Sequence, residues 1–80
     1  SLKSGGQLSG GNNLTSGMPG KIVKIYVKPG QEIKEGEPIL IMEAMKMENE
    51  MRASGDVTID EVLVAEGDTV ESGAVLISFK

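Results

Sequence analysis

Lys46 sits between two methionines in Ile41-Met42-Glu43-Ala44-Met45-Lys46-Met47-Glu48-Asn49, where an apolar run turns polar and reads as a hairpin. A lysine at a tight turn projects its amine into water, where it can be acylated and offered to one enzyme after another. The rest of the chain offers little chemistry. Its 80 residues contain no His, Cys or Trp, so the usual nucleophiles, bases and soft metal ligands are missing. No residue is assigned as catalytic and none as a metal ligand. A chain this poor in reactive groups can still do chemistry if it carries a group that has them, and Lys46 is where that group would sit. The plainer alternative makes Lys46 a solvated charge that discourages sheet pairing. For Met45 and Met47 the plainer alternative is core filling, because alternation around Lys46 points both to the same side.

Composition narrows the field. The formal charge is −4, with one Tyr and one Phe. That leaves neither a basic stripe nor a stacking platform, so nucleic acid is not an expected partner. No apolar run approaches the length of a membrane span and no signal peptide opens the chain, so membrane insertion is not expected. The absence of Cys suits a reducing compartment, which gives a cytoplasmic expectation, or the mitochondrial matrix in a eukaryote. A chain of this size makes one small domain with a modest core, held by regular packing of Val, Ile and Leu.

The elements that position Lys46 begin after an uneven start. Residues 1–16 (SLKSGGQLSGGNNLTS) are rich in Gly, Ser and Asn without periodicity, which predicts a flexible linker or an artificial leader. From 17 to 80 the chain alternates Val/Ile with charged residues broken by Gly, which marks the folded domain. Asn13-Leu14-Thr15 matches the glycosylation acceptor pattern, read as chance in a chain without a secretory signal.

Within the domain the chain repeats itself at an offset of 37 residues, the separation of Ile22 from Ile59. Val27 then falls on Val64, Gly30 on Gly67 and Gly36 on Gly73, and strand-like runs follow at Pro38-Ile39-Leu40-Ile41-Met42 and Val75-Leu76-Ile77-Ser78-Phe79. Each copy reads as strand, Gly turn, short strand, Gly turn, strand. One copy alone leaves its apolar face in water. Two packed face to face bury both, which predicts an all-β sandwich or flattened barrel with pseudo-two-fold symmetry. The same offset puts the counterpart of Lys46 near Ser9. The lysine hairpin is therefore expected at one end of the domain and the chain's entry and exit at the other.

These residues resemble the biotinyl domain of biotin-dependent carboxylases and decarboxylases, a branch of the biotin/lipoyl attachment family. The resemblance covers residues 18–79. It rests on Ala44-Met45-Lys46-Met47 with Glu43 before it and Glu48 after it, on Met18-Pro19-Gly20, and on the turns Val27-Lys28-Pro29-Gly30 and Ala65-Glu66-Gly67-Asp68. It implies a barrel-sandwich hybrid of two four-stranded antiparallel sheets. It also implies biotin in an amide on Lys46, attached by biotin protein ligase, with Glu43, Ala44, Met45 and Met47 forming the recognition motif. The partners implied are a biotin carboxylase and a carboxyltransferase, between which the carrier moves a carboxyl group without being an enzyme itself. The acceptor class would be an acyl-CoA, pyruvate or oxaloacetate.

Two positions depart from that family's usual pattern. Val57 stands where members commonly have Gly, and Gly55 is expected to take over the turn. Ser16-Gly17 replaces Ala-Pro, which predicts a less rigid start to the first long strand. A lipoyl carrier of a 2-oxo-acid dehydrogenase complex is the alternative. Lipoyl domains typically place an acidic residue before the lysine and a small one after it, where this chain has Met45 and Met47. An unmodified domain used only for assembly is the third reading.

Overall fold

The computed structural model describes residues 13–80, and every regular element among them is a β-strand. In chain order these are β1 (Asn13–Thr15), β2 (Gly20–Ile25), β3 (Glu32–Ile33), β4 (Pro38–Ala44), β5 (Met47–Arg52), β6 (Val57–Val62), β7 (Thr69–Val70) and β8 (Val75–Phe79). They form two four-stranded sheets with orders β1-β8-β6-β3 and β5-β4-β2-β7, and every pairing is antiparallel. The expected two-sheet, all-β architecture is the one observed.

The repeat explains this topology strand by strand. Moved by the sequence offset, β2 falls on β6, β3 on β7 and β4 on β8, while β1 falls on the second half of β5. One sheet order thus becomes the other. Even the irregularities recur: the β2–β4 register slips between Ile22 and Lys24, and the β6–β8 register slips between Ile59 and Glu61. The turns recur as well. Gly30 N donates to Ile59 O at 2.8 Å, and its mate Gly67 N donates to Ile22 O at 2.7 Å. Gly30 and Gly67 hold φ of 87° and 95°, a left-handed backbone that side chains rarely adopt.

Side chains from both sheets meet in one core. Ile22, Ile39, Leu40, Ile59, Leu76 and Ile77 are fully buried, and Leu14, Ile33, Met42, Val70 and Phe79 nearly so. These too are mates: Ile22 with Ile59, Ile39 with Leu76, Leu40 with Ile77, Met42 with Phe79. Each half supplies the apolar face that the other must cover, as the period-two pattern demands.

Part of the expected linker belongs to the fold. Against the expectation of a flexible segment over 1–16, Asn13–Thr15 form β1 against β8, and Leu14 is 1% exposed. One buried leucine on an edge strand makes no periodicity that a sequence window can detect. Residues 1–12, including Ser9, lie outside the described residues. Ser16 was expected to give β2 a loose start, and instead it is buried. Its N donates to Ala74 O at 2.9 Å, and its carbonyl accepts from Gly73 N at 2.7 Å. Val57 simply opens β6; neither it nor Gly55 adopts a positive φ, so no glycine has to take over that turn.

Candidate functional site

The β4–β5 hairpin presents Lys46. Pairing runs from Pro38↔Arg52 up to Glu43↔Glu48 and Ala44↔Met47, which leaves Met45 and Lys46 as a two-residue loop. Their φ angles are 55° and 67°, the only positive values at non-glycine residues among those described. Positive φ at both central positions is the type I′ turn, whose twist matches the flanking strands. Such turns favour Asn-Gly. Holding Met and Lys there costs about 1–2 kcal/mol per residue. The long β4–β5 ladder and the buried Ala44 hold the turn closed against that cost. An unfavourable backbone kept in place by its surroundings is a mark of functional sites.

The side chains at the tip leave the core. Met45 is 82% exposed and Met47 is 65% exposed, although Met47 pairs with buried Ala44. The core-filling alternative for these two methionines does not hold. Lys46 is exposed, and its Nζ takes part in no ion pair or hydrogen bond among the described residues; the ion pairs there are Lys34–Asp56 and Arg52–Glu50. Its amine is sterically open for acylation.

Glu43 lies on the outer face of its sheet, directly opposite Lys21 on one side and Glu48 on the other. Two like charges face each other one rung below the turn. Such pairs destabilise a sheet unless a neighbour compensates, and Lys21 is placed to do so. No group of three or more potential metal ligands occurs among the described residues. The open indentation lined by Glu32, Ile33, Asp56 and Thr58 belongs to the β3–β6 pair in the other sheet. The tip is convex. What the residues there can do is hold a group covalently and display it.

Sequence reasoning named Gly20 and Ser16 but missed their contacts at the foot of the hairpin. A methyl group on Gly20 would lie 2.6 Å from the backbone oxygen of Glu43 and 3.1 Å from Met42 Cγ. Gly20 is there for closeness, since its φ is not positive. Ser16 Oγ donates to the Met18 carbonyl and lies 3.6 Å from Met42 Sδ. The repeat carried one usable signal: the mate of Gly20 is Val57, so the matching place in the other half accepts a bulky side chain where this one has glycine.

Comparison with known proteins gives a consistent family. A family model described as "Biotin-requiring enzyme" matches residues 12–79. The biotin carboxyl carrier protein of Streptococcus mutans is 41% identical over 70 residues, covering 88% of this chain and 54% of that protein. A single-chain, multi-domain long-chain acyl-CoA carboxylase superposes with a TM-score of 0.79 and 26% identity, over 99% of this chain and 8% of that one. The lipoyl domain of the 2-oxoglutarate dehydrogenase complex from Azotobacter vinelandii superposes with a TM-score of 0.71 and 29% identity, over 99% of this chain and 92% of that one. The chain thus spans about half the length of the carrier protein and a small part of the carboxylase.

Proposed function

This chain belongs to the biotin-requiring enzyme family, and from that premise we propose that Lys46 holds its covalent biotin, in an amide on Nζ. The observation that carries the proposal is the Met45-Lys46 turn, a strained two-residue loop that raises an unpaired amine clear of both sheets. When bound, biotin supplies a ureido nitrogen that accepts and releases a carboxyl group. All else is done by the chain's own residues.

Attachment needs Lys46 as a neutral amine. Nζ attacks an activated biotin carboxyl, loses one proton and displaces the activating group; a biotin protein ligase would supply the activation. Among the described residues no carboxylate holds the amine, so no ion pair there has to be broken first. Met45 and Met47 give the turn a soft apolar surface that can adapt to more than one partner. Glu43 and Glu48 add negative charge beside it, suited to orienting the domain on basic surfaces. The barrel then presents one tip in turn to a biotin carboxylase site and a carboxyltransferase site. The domain acts as a carrier and leaves the chemistry on the acceptor to its partners.

The lipoyl domain shares this fold, so architecture does not separate the two carriers. The flanks of Lys46 do, because Met45 and Met47 match the biotinyl motif and not the lipoyl one. The test is intact mass after incubation with biotin, ATP and a biotin protein ligase, with Lys46→Arg alongside. One biotinyl group on the parent chain alone is expected. Modification by a lipoyl ligase instead would move the chain to the lipoyl carriers, and no gain with either ligase would favour an assembly domain.

A further inference from the structure

We infer that residues 16–20 form the second half of the surface read at Lys46, with Met18 as a third recognition methionine held beside the hairpin. The inference rests on the reading of Lys46 as the acylated lysine.

Both ends of this strap rest on β4. Ser16 Oγ touches Met42 Sδ at 3.6 Å, and Gly20 packs against the backbone of Glu43 so closely that a Cβ would collide with it. Met42 and Glu43 are consecutive, and they lead directly into Ala44, Met45 and Lys46. The strap is tied from behind as well, by the backbone bonds of Ser16 to Gly73 and Ala74 and by Ser72 Oγ donating to Gly17 O at 3.5 Å. Fixed at both ends, it lifts Met18 out of the core, 41% exposed. Met18 is therefore two residues from each contact on β4, and Met45 is two residues beyond the second of them.

The fold does not need a methionine there. Under the repeat, the mates of Met18, Pro19 and Gly20 are Gly55, Asp56 and Val57. The other half of the barrel closes with no side chain at all where this half exposes Met18. What distinguishes the two ends is the lysine hairpin. Because the strap's backbone is already tied at both ends, a partner that covers Met18 does not have to order the chain that carries it. Three such methionines around one lysine, two from the hairpin and one from the strap, make a surface that an apolar-rimmed ligase cleft can grip on two sides.

The experiment compares the full chain with Met18→Asp, Met18→Leu and Tyr26→Asp, reading kcat and KM for biotin transfer by a biotin protein ligase, with the melting temperature of each. Tyr26 is 40% exposed, matching Met18, but it hydrogen-bonds to Ile39 at the opposite end of β4, roughly 17 Å from Ala44 at the rise of a strand. Met18→Asp is expected to raise KM about tenfold with kcat and melting temperature unchanged. Met18→Leu should restore the parent KM, and Tyr26→Asp should leave it alone. Equal KM values for Met18→Asp and Tyr26→Asp would overturn the inference while the carrier reading stands. A parent chain that takes no biotin would overturn both.

Discussion

Three glycines with three different jobs respond differently to alanine: one replacement stabilises and two destabilise, for separate reasons. At Gly55 the φ is not positive and nothing lies within 4 Å of a built Cβ. Alanine there only restricts the unfolded chain, a gain of about 0.4–1 kcal/mol. At Gly30 space is also open, but φ is +87°, so alanine must hold a left-handed backbone. That costs about 1–2 kcal/mol, which outweighs the unfolded-state gain. At Gly20 the backbone is permissive and the obstacle is the Glu43 carbonyl at 2.6 Å. A backbone atom in a paired strand cannot rotate aside as a side chain would. β4 must move, at the 1–3 kcal/mol typical of overpacking. Offset by the unfolded-state gain, Gly20→Ala should be net destabilised by about 1–2 kcal/mol, lowering Tm by roughly 4–16 °C in a domain of this size. The assay is urea unfolding of the parent and three variants, with constant m showing that only stability has changed. Gly20→Ala as stable as Gly55→Ala would refute the argument, since β4 would then yield freely and the strap would not be clamped to the hairpin foot.

Lys46→Arg should abolish biotin attachment and leave the unfolding midpoint unchanged, because an exposed tip adds little stability; intact mass and thermal melts check both parts, and loss of cooperative unfolding would contradict them. Leu14→Ala should cost about 2–5 kcal/mol, since Leu14 is 1% exposed in the core; urea unfolding that matches the parent would mean β1 is dispensable. Glu48→Lys should stabilise by about 0.2–1 kcal/mol by replacing the Glu43–Glu48 opposition with an attractive pair. Its gain should shrink in added salt, and a gain that is independent of salt would point away from charge.

How far the chain was legible depended on the distance over which each signal acts. The repeat exposed the pairs Ile22/Ile59 and Gly30/Gly67, and with them two matched halves, because apolar alternation and glycine turns are local features that copy cleanly. The hairpin was legible for the same reason, from an apolar run that becomes Met-Glu-Asn-Glu around Lys46. β1 was not. Its mate is the Glu50-Met51-Arg52 stretch of an exposed edge strand, so neither copy carries a clear period-two pattern. The buried Ser16 was unreadable too, because its partners Gly73, Ala74 and Met42 are all far off in sequence.

Sequence alone, then, determined the strand–turn–short strand–turn–strand order of each copy, which is three of the four strands in each half, together with the turn glycines and the lysine at the hairpin apex. Each of these follows from side-chain type and spacing over a few residues. Only the tertiary structure decided that Met45 and Lys46 share left-handed φ, that both flanking methionines stand clear of the core, and that Gly20 brings residues 16–20 against the hairpin foot. The first two outcomes depend on the register of the β4–β5 hairpin and the third on the close pairing of β2 with β4, which no short stretch of sequence specifies.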